Sequence, residues 1–376
     1  MRHAVPAFAV ALSLSACGGM SGASTPSPSG PSSEVPVPAP QTPAVLTPAE
    51  RAVPEGTHGP VEPGTVVPVA PGPCGRGAPG LPLPASASTS MGAPFEGHLL
   101  GGVPLPWDVE GLRSNAARPN AEGCWGTVET VASLVRAAAE VHRDFADSVV
   151  VVNDLSLPAG GPIVHHGSHQ AGRDADVLFA YVDAHGAPWP ARGVPVDPEG
   201  NGVEFGDLLD PSDDVPVKLD GARTWRFVRA LVEEDLEGGG TGLQRVFVVE
   251  HVRALLLAEA AREHAPRAVV ARFEDVTCQP AYPHDDHLHV RFFCSAEDVR
   301  AGCRDAAPIY PWHRDVLQAA GLEPVPAASP RRTAGPEPRA PEGPAPPPPM
   351  HEDVRAFLER RSAWSHAPHP GRRFCR

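Results

Sequence analysis

The chain has 376 residues, a formal charge of −14 and no run of Lys and Arg interleaved with aromatics, which excludes nucleic acid as a partner. No apolar stretch reaches the roughly 18 residues needed to span a bilayer. Its 48 prolines gather mainly in two stretches, 25–73 and 323–350, too poor in large apolar residues to offset chain entropy. They leave 74–322 as the globular part.

The first residues, MRHAVPAFAVALSLSACGG, combine an early Arg2, a short apolar run and small residues, the pattern of a secretory signal peptide over 1–16. Leu14-Ser15-Ala16-Cys17 resembles the lipobox of bacterial lipoproteins. That resemblance implies cleavage before Cys17, acylation of its thiol, and a periplasmic protein held to a membrane by lipid. Gly18 directly after the cysteine points to the outer membrane, with 17–73 as a Pro-rich tether. Setting Cys17 aside leaves Cys74, Cys124, Cys278, Cys294, Cys303 and Cys375, an even set suited to an oxidising compartment. No CxxC pair points to metal, so disulfides are expected. Cys294 and Cys303 are the favoured pair, being close in sequence and directly after a strand.

Along the globular part, 127–146 places Val128, Val131, Leu134, Val135, Ala138, Val141 and Phe145 at helical spacing, with Thr127 as its cap. Residues 148–152 read as a short buried strand running into Asn153-Asp154 and the turn PAGGP at 158–162. A second strand is expected from Asp176 to Val182, then an irregular insertion over 185–221. A helix at 222–236, a strand at 244–249, a helix at 251–264 and a strand at 287–293 follow. Beyond the linker 323–350, the tail 351–376 carries a docking helix at 352–364, pinned through Cys375. Helices and strands mix without regular βαβ alternation, which gives an α+β class.

Two clusters carry chemistry: IVHHGSHQAGRDAD at 163–176 and HDDHLH at 284–289. His169 and Asp176 lie too far apart for one helical face and suit a loop ligand followed by a ligand at a strand start. His287 and His289 are two apart on a strand, so their imidazoles point the same way. Two His and one Asp make a zinc site of the catalytic type, which keeps a coordination position open for water.

HHGSHQAGRDAD and HDDHLHVRFFC, with DLSLPAGG at 154–161 and Cys294 beyond, closely resemble the signatures of the penicillin-insensitive murein endopeptidases. These are zinc peptidases of the lysostaphin/D-Ala-D-Ala peptidase/hedgehog-like fold group, and the resemblance runs from about 95 to 305. It implies a mainly antiparallel central sheet flanked by helices, with peptidoglycan as substrate and Zn2+ as cofactor. It places His169, Asp176 and His289 on the zinc ligands, His166 as either a further ligand or a hydrogen-bonding neighbour, and His287 on the catalytic histidine. His284, Ser168, Gln170 and Asp174 fall on substrate or supporting positions. The family's Asp-x-x-His finds only Asp220-Gly-Ala-Arg223, which speaks against a second metal. One family disulfide finds no matching cysteine pair.

The implied activity is hydrolysis of peptide cross-links, at the D-alanyl–diaminopimelate bond. The alternatives are a D-Ala carboxypeptidase of the same fold and a non-catalytic wall-binding lipoprotein. A Ser-x-x-Lys nucleophile is excluded, since the sole lysine is Lys218 and Val215 occupies the serine position.

Overall fold

The computed structural model describes residues 88–106, 109–115, 120–190, 192–238, 242–328, 349–366 and 374–375. The signal segment, Cys17, Cys74, the tether and most of the 323–350 linker fall outside them. In chain order the elements are β1 (Thr89–Ala93), β2 (Glu96–Leu100), β3 (Val103–Pro104), β4 (Leu112–Ser114), β5 (Trp125–Gly126), α1 (Val128–Asp144) and β6 (Val150–Val152). Next come β7 (Asp174–Leu178), β8 (Tyr181–Val182), β9 (Pro188–Trp189), β10 (Asn201–Glu204), β11 (Val215–Leu219) and α2 (Gly221–Leu236). The remainder are β12 (Leu243–Phe247), α3 (Glu250–Arg262), α4 (Arg267–Val276), β13 (Thr277–Cys278), β14 (His287–Phe292), α5 (Ala296–Arg300), α6 (Pro311–Ala319) and α7 (Glu352–His366).

The chain is α+β, and its described strands form four sheets rather than one. The largest has the order β13-β12-β14-β7-β6-β4. Its central pairings, β12–β14, β14–β7 and β7–β6, are antiparallel, and the two outer ones are parallel. Each parallel pair is joined by a helical crossover, as that geometry requires.

Helix α1 starts where Thr127 Oγ1 accepts from the Thr130 N–H at 3.2 Å. Its buried stripe of Val131, Leu134, Val135, Ala138 and Val141 faces the core. Asp220 caps α2 by accepting from the Arg223 N–H, and Trp225, Val228, Leu231 and Val232 bury its inner face. Arg226 of α2 pairs with Glu140 and Asp144 of α1, and Arg136 with Glu234, along the seam of these helices. Arg223 pairs with Asp220 at 2.5 Å and Asp147 at 2.7 Å.

Two expectations are corrected, and one helix was not anticipated. The strand expected over 176–182 is two strands in different sheets: β7 begins at Asp174, the chain turns at Phe179-Ala180, and Tyr181 then pairs with Leu219 and Trp189. The insertion 185–221 is not irregular but builds, with β8, the four-stranded sheet β10-β11-β8-β9. Residues 267–276 form α4, buried through Val269, Phe273 and Val276. The favoured disulfide Cys294–Cys303 is formed, a second joins Cys278 to Cys375, and Cys124 is also disulfide-bonded. Among the described residues no helix is long and apolar enough to cross a membrane.

Candidate metal centre

Strands β7 and β14 run side by side at the middle of the large sheet, with Asp176 opposite His289 and Asp174 opposite Arg291. Directly opposed residues share a face and neighbours alternate, so Asp174, Asp176, His287, His289 and Arg291 line one side. Ala175, Val177, Leu288 and Val290 line the other and join Leu134 and Trp225 in the main core. The helices thus cover one face of these strands and the polar set occupies the opposite one.

The loop before β7 brings His166 and His169 to this set. His169 has a φ of +66°, a backbone region that costs a side-chain-bearing residue energy and is sustained by its surroundings. Here those are the Asp174 carboxylate, which accepts from the His169 N–H at 3.1 Å, and the Leu155 carbonyl, which accepts from its Nδ1 at 2.7 Å.

Four imidazoles surround the Asp176 carboxylate: His169 Nε2 and His289 Nδ1 each lie 3.3 Å from Oδ1, His287 Nε2 lies 3.5 Å from Oδ1, and His166 Nδ1 3.5 Å from Oδ2. In every one, the other ring nitrogen is held by an oxygen. Leu155 O holds His169, Asp174 holds His289 at 2.9 Å, Asp154 holds His166 at 2.8 Å, and Asp286 holds His287 at 2.6 Å. Such outer partners fix the tautomer and aim the free nitrogen inward. Asp154 is itself fully buried and also accepts from Asn120 Nδ2 at 2.9 Å. His284, at φ +53°, donates Nδ1 to the Tyr282 carbonyl, and its ring lies tilted 4.8 Å from that of His287 and edge-on 5.5 Å from that of His289.

This arrangement fits a tetrahedral ion. Ligand atoms about 2.0–2.2 Å from one such ion stand about 3.3–3.6 Å apart, the spacing seen around Asp176. His169 Nε2 and Asp176 Oδ1 are buried and make no hydrogen bond to any described group, a costly arrangement unless an ion takes them. His166, His169 and Asp176 form a group whose ligand atoms all lie within 4.8 Å of one another. Burial alone would raise the Asp176 carboxyl, but the imidazoles of His169 and His287 outweigh it and hold the group well below the usual carboxylate range. Burial lowers His289 to about 4 in spite of Asp174, and burial with His287 and His289 lowers His284 to about 3. His287 goes the other way: burial opposes its charge, yet Asp176 and Asp286 raise it to about 10.

The predicted residues His166, His169, Asp174, Asp176, His284, His287 and His289 therefore converge. Ser168 and Gln170 flank His169 half-buried, and Gln170 serves through its backbone, donating to Pro94 O and accepting from the Gly161 N–H. Arg173 is buried against Phe292 O, Ser90 and Asp305, a strut behind the site rather than part of it. Sequence reasoning missed Asp154 and Asp286 as the carboxylates that orient His166 and His287. Their signals were present: Asp154 opens DLSLPAGG, and Asp286 lies inside HDDHLH.

A buried carboxylate ringed by pre-aimed imidazoles on a sheet is a group of side chains able to hold a metal ion. Residues 90–315 match the family described as penicillin-insensitive murein endopeptidase, and the chain belongs to that family. The penicillin-insensitive murein endopeptidase of Yersinia pestis (strain Antiqua) is 23% identical over 285 residues, covering 74% of this chain and 88% of that protein. That of Pectobacterium atrosepticum is 25% identical over 288 residues, covering 74% and 87%.

Proposed function

We propose that the protein is a zinc-dependent endopeptidase that hydrolyses peptide cross-links in peptidoglycan, at the D-alanyl–diaminopimelate bond, on the fold of the lysostaphin/D-Ala-D-Ala peptidase/hedgehog-like group. One observation carries the reading: four imidazoles, each anchored at one nitrogen, turn the other towards Asp176. His169 through Nε2, Asp176, and His289 through Nδ1 would hold the ion, with His166 Nδ1 as a further ligand. A zinc ion so held would supply Lewis-acid chemistry for the hydrolysis. His287 has its Nδ1 on Asp286, so its Nε2 faces the reacting groups. There it stabilises charge on the carbonyl oxygen and delivers a proton to the leaving amine. Asp174, Asp154 and the Leu155 carbonyl keep the ligand rings from turning. The lipobox-like Leu14–Cys17 and a wall substrate together support a periplasmic protein anchored by lipid on Cys17 to the outer membrane.

The test is to incubate the protein with purified cross-linked sacculi and read the muropeptides by mass. Dimers falling to monomers, blocked by a chelator and restored by zinc, are expected. Loss of a single terminal residue from stem peptides would instead make it a carboxypeptidase, and unchanged products would remove the enzymatic reading.

A further inference from the structure

Helix α7 and residues 374–375 lie beyond the family-matched segment 90–315, yet they close on the loop that carries His284 and His287. Asp285, fully buried, accepts both prongs of the Arg361 guanidinium, Nε to Oδ2 at 2.9 Å and Nη2 to Oδ1 at 2.7 Å. It also accepts from Trp364 Nε1 at 3.3 Å. The same guanidinium stands 3.7 Å from Asp286 Oδ2, on the carboxylate whose Oδ1 holds His287 Nδ1. The helix is firmly seated. Val354 and Phe357 are buried, Phe357 packs edge-on against Phe205 and Trp364, Gln279 Nε2 donates to the Ser365 carbonyl, and Cys375 is bonded to Cys278.

From within the family-matched part the loop is held by its main chain. Val249 N donates to the His284 carbonyl at 3.1 Å, Val196 N to the Asp285 carbonyl at 2.9 Å, and Tyr181 Oη to the Asp286 carbonyl at 3.2 Å. Those bonds fix the path of the backbone, while the Asp285 carboxylate is held by Arg361 and Trp364 of the tail and the two oxygens of Asp286 are shared between His287 and Arg361.

We infer that Arg361 is a positioning residue for His287: the C-terminal segment clasps Asp285 and Asp286 and thereby sets the Asp286–His287 pair against Asp176. The inference rests on the catalytic reading of this site. A buried carboxylate needs a charge-assisted partner, and a two-pronged guanidinium fixes orientation as well as distance.

The test uses the full chain and its Arg361→Gln and Arg361→Lys variants, zinc-loaded and assayed on a purified cross-linked muropeptide dimer, with zinc content and thermal unfolding measured alongside. A misplacement of about 1 Å can cost a reaction ~100-fold, so a looser pair in Arg361→Gln is expected to lose about 10-fold in kcat with KM and zinc content unchanged. Arg361→Lys, which keeps the charge but not the fork, should fall between. A folded Arg361→Gln variant with the parent's kcat overturns the clasp. An inactive parent overturns the endopeptidase reading instead. Should Arg361→Gln fail to fold, Arg361→Gln combined with Asp285→Asn removes both charges together. A native melt with lowered kcat then supports the clasp, and a native kcat overturns it.

Discussion

Asp176 faces His289 directly across the β7–β14 pair, Oδ1 to Nδ1 at 3.3 Å, while Asp174, two residues earlier on the same strand, holds the far nitrogen of that imidazole at 2.9 Å. The period of two along a strand thus supplies both the ligand neighbour and the clamp. Arg291, opposite Asp174, donates Nε to it at 2.5 Å. Burial would raise the Asp174 carboxyl, but Arg291 and His289 outweigh it and keep it well below the usual range.

That arrangement makes His289→Ala informative. Removing the imidazole takes away one proposed ligand but leaves Asp174 paired with Arg291, so no lone buried charge results. Bound zinc and activity should fall to background while the melting temperature stays within about 5 °C of the chelator-treated parent. Elemental analysis and calorimetry check both. Full activity without zinc would sink the metallopeptidase reading.

Asp154 acts one step further out. It is fully buried and its Oδ2 takes His166 Nε2 and Asn120 Nδ2. Asp154→Asn keeps the volume but weakens the hold on the ring, and loss of such an outer partner costs about 10–100-fold in metal affinity. A competition titration against a chromophoric chelator reads this. Unchanged affinity would remove His166 from the ligand set.

How much of this was legible follows from which signals are local. The i, i+2 pair His287 and His289 on an apolar strand, the Thr127 cap and the close pair Cys294–Cys303 are all short-range and were readable. The break at Phe179-Ala180 was not, because Val177 to Val182 is one unbroken apolar run. The change of sheet is decided by the pairing of Tyr181 with Leu219, 38 residues on. In the 185–221 stretch, Pro216 and the short β9 and β10 hide strand periodicity. Cys278–Cys375 spans 97 residues, and only the seating of α7 brings its ends together. The histidines and carboxylates of the two clusters were readable as types, and the structure brings them together around Asp176. Of their orienting carboxylates, Asp286 is the neighbour of His287 in sequence, whereas Asp174 reaches His289 only through the pairing of β7 with β14.

The two pairs Cys278–Cys375 and Cys294–Cys303 close loops with sequence separations of 97 and 9. On the chain-entropy account they stabilise by roughly 4.7 and 2.6 kcal/mol. Replacing Cys278 and Cys375 together by Ser should therefore lower stability by about 4 kcal/mol, more than the same change at Cys294 and Cys303. Urea unfolding of the two variants compares them. Equal losses would mean that the packing of α7 already confines the tail without its bridge.

Neighbouring glycines provide a test with its own control. Gly160 and Gly161 both have positive φ, +68° and +82°, in the turn that crosses behind His169. A Cβ at Gly160 would stand 2.3 Å from the Gln170 carbonyl oxygen and 2.7 Å from the Leu99 nitrogen, whereas one at Gly161 meets nothing within 4 Å. Gly161→Ala should cost only the left-handed backbone, about 1–2 kcal/mol. Gly160→Ala adds an overlap with main chain worth about 1–3 kcal/mol more. Because the residue it pushes, Gln170, is bonded in sequence to His169, Gly160→Ala should also weaken zinc binding, and Gly161→Ala should not. Denaturant melts and zinc titrations on the two variants decide it. Equal zinc affinities would show that the loop absorbs the shift without moving the ligand.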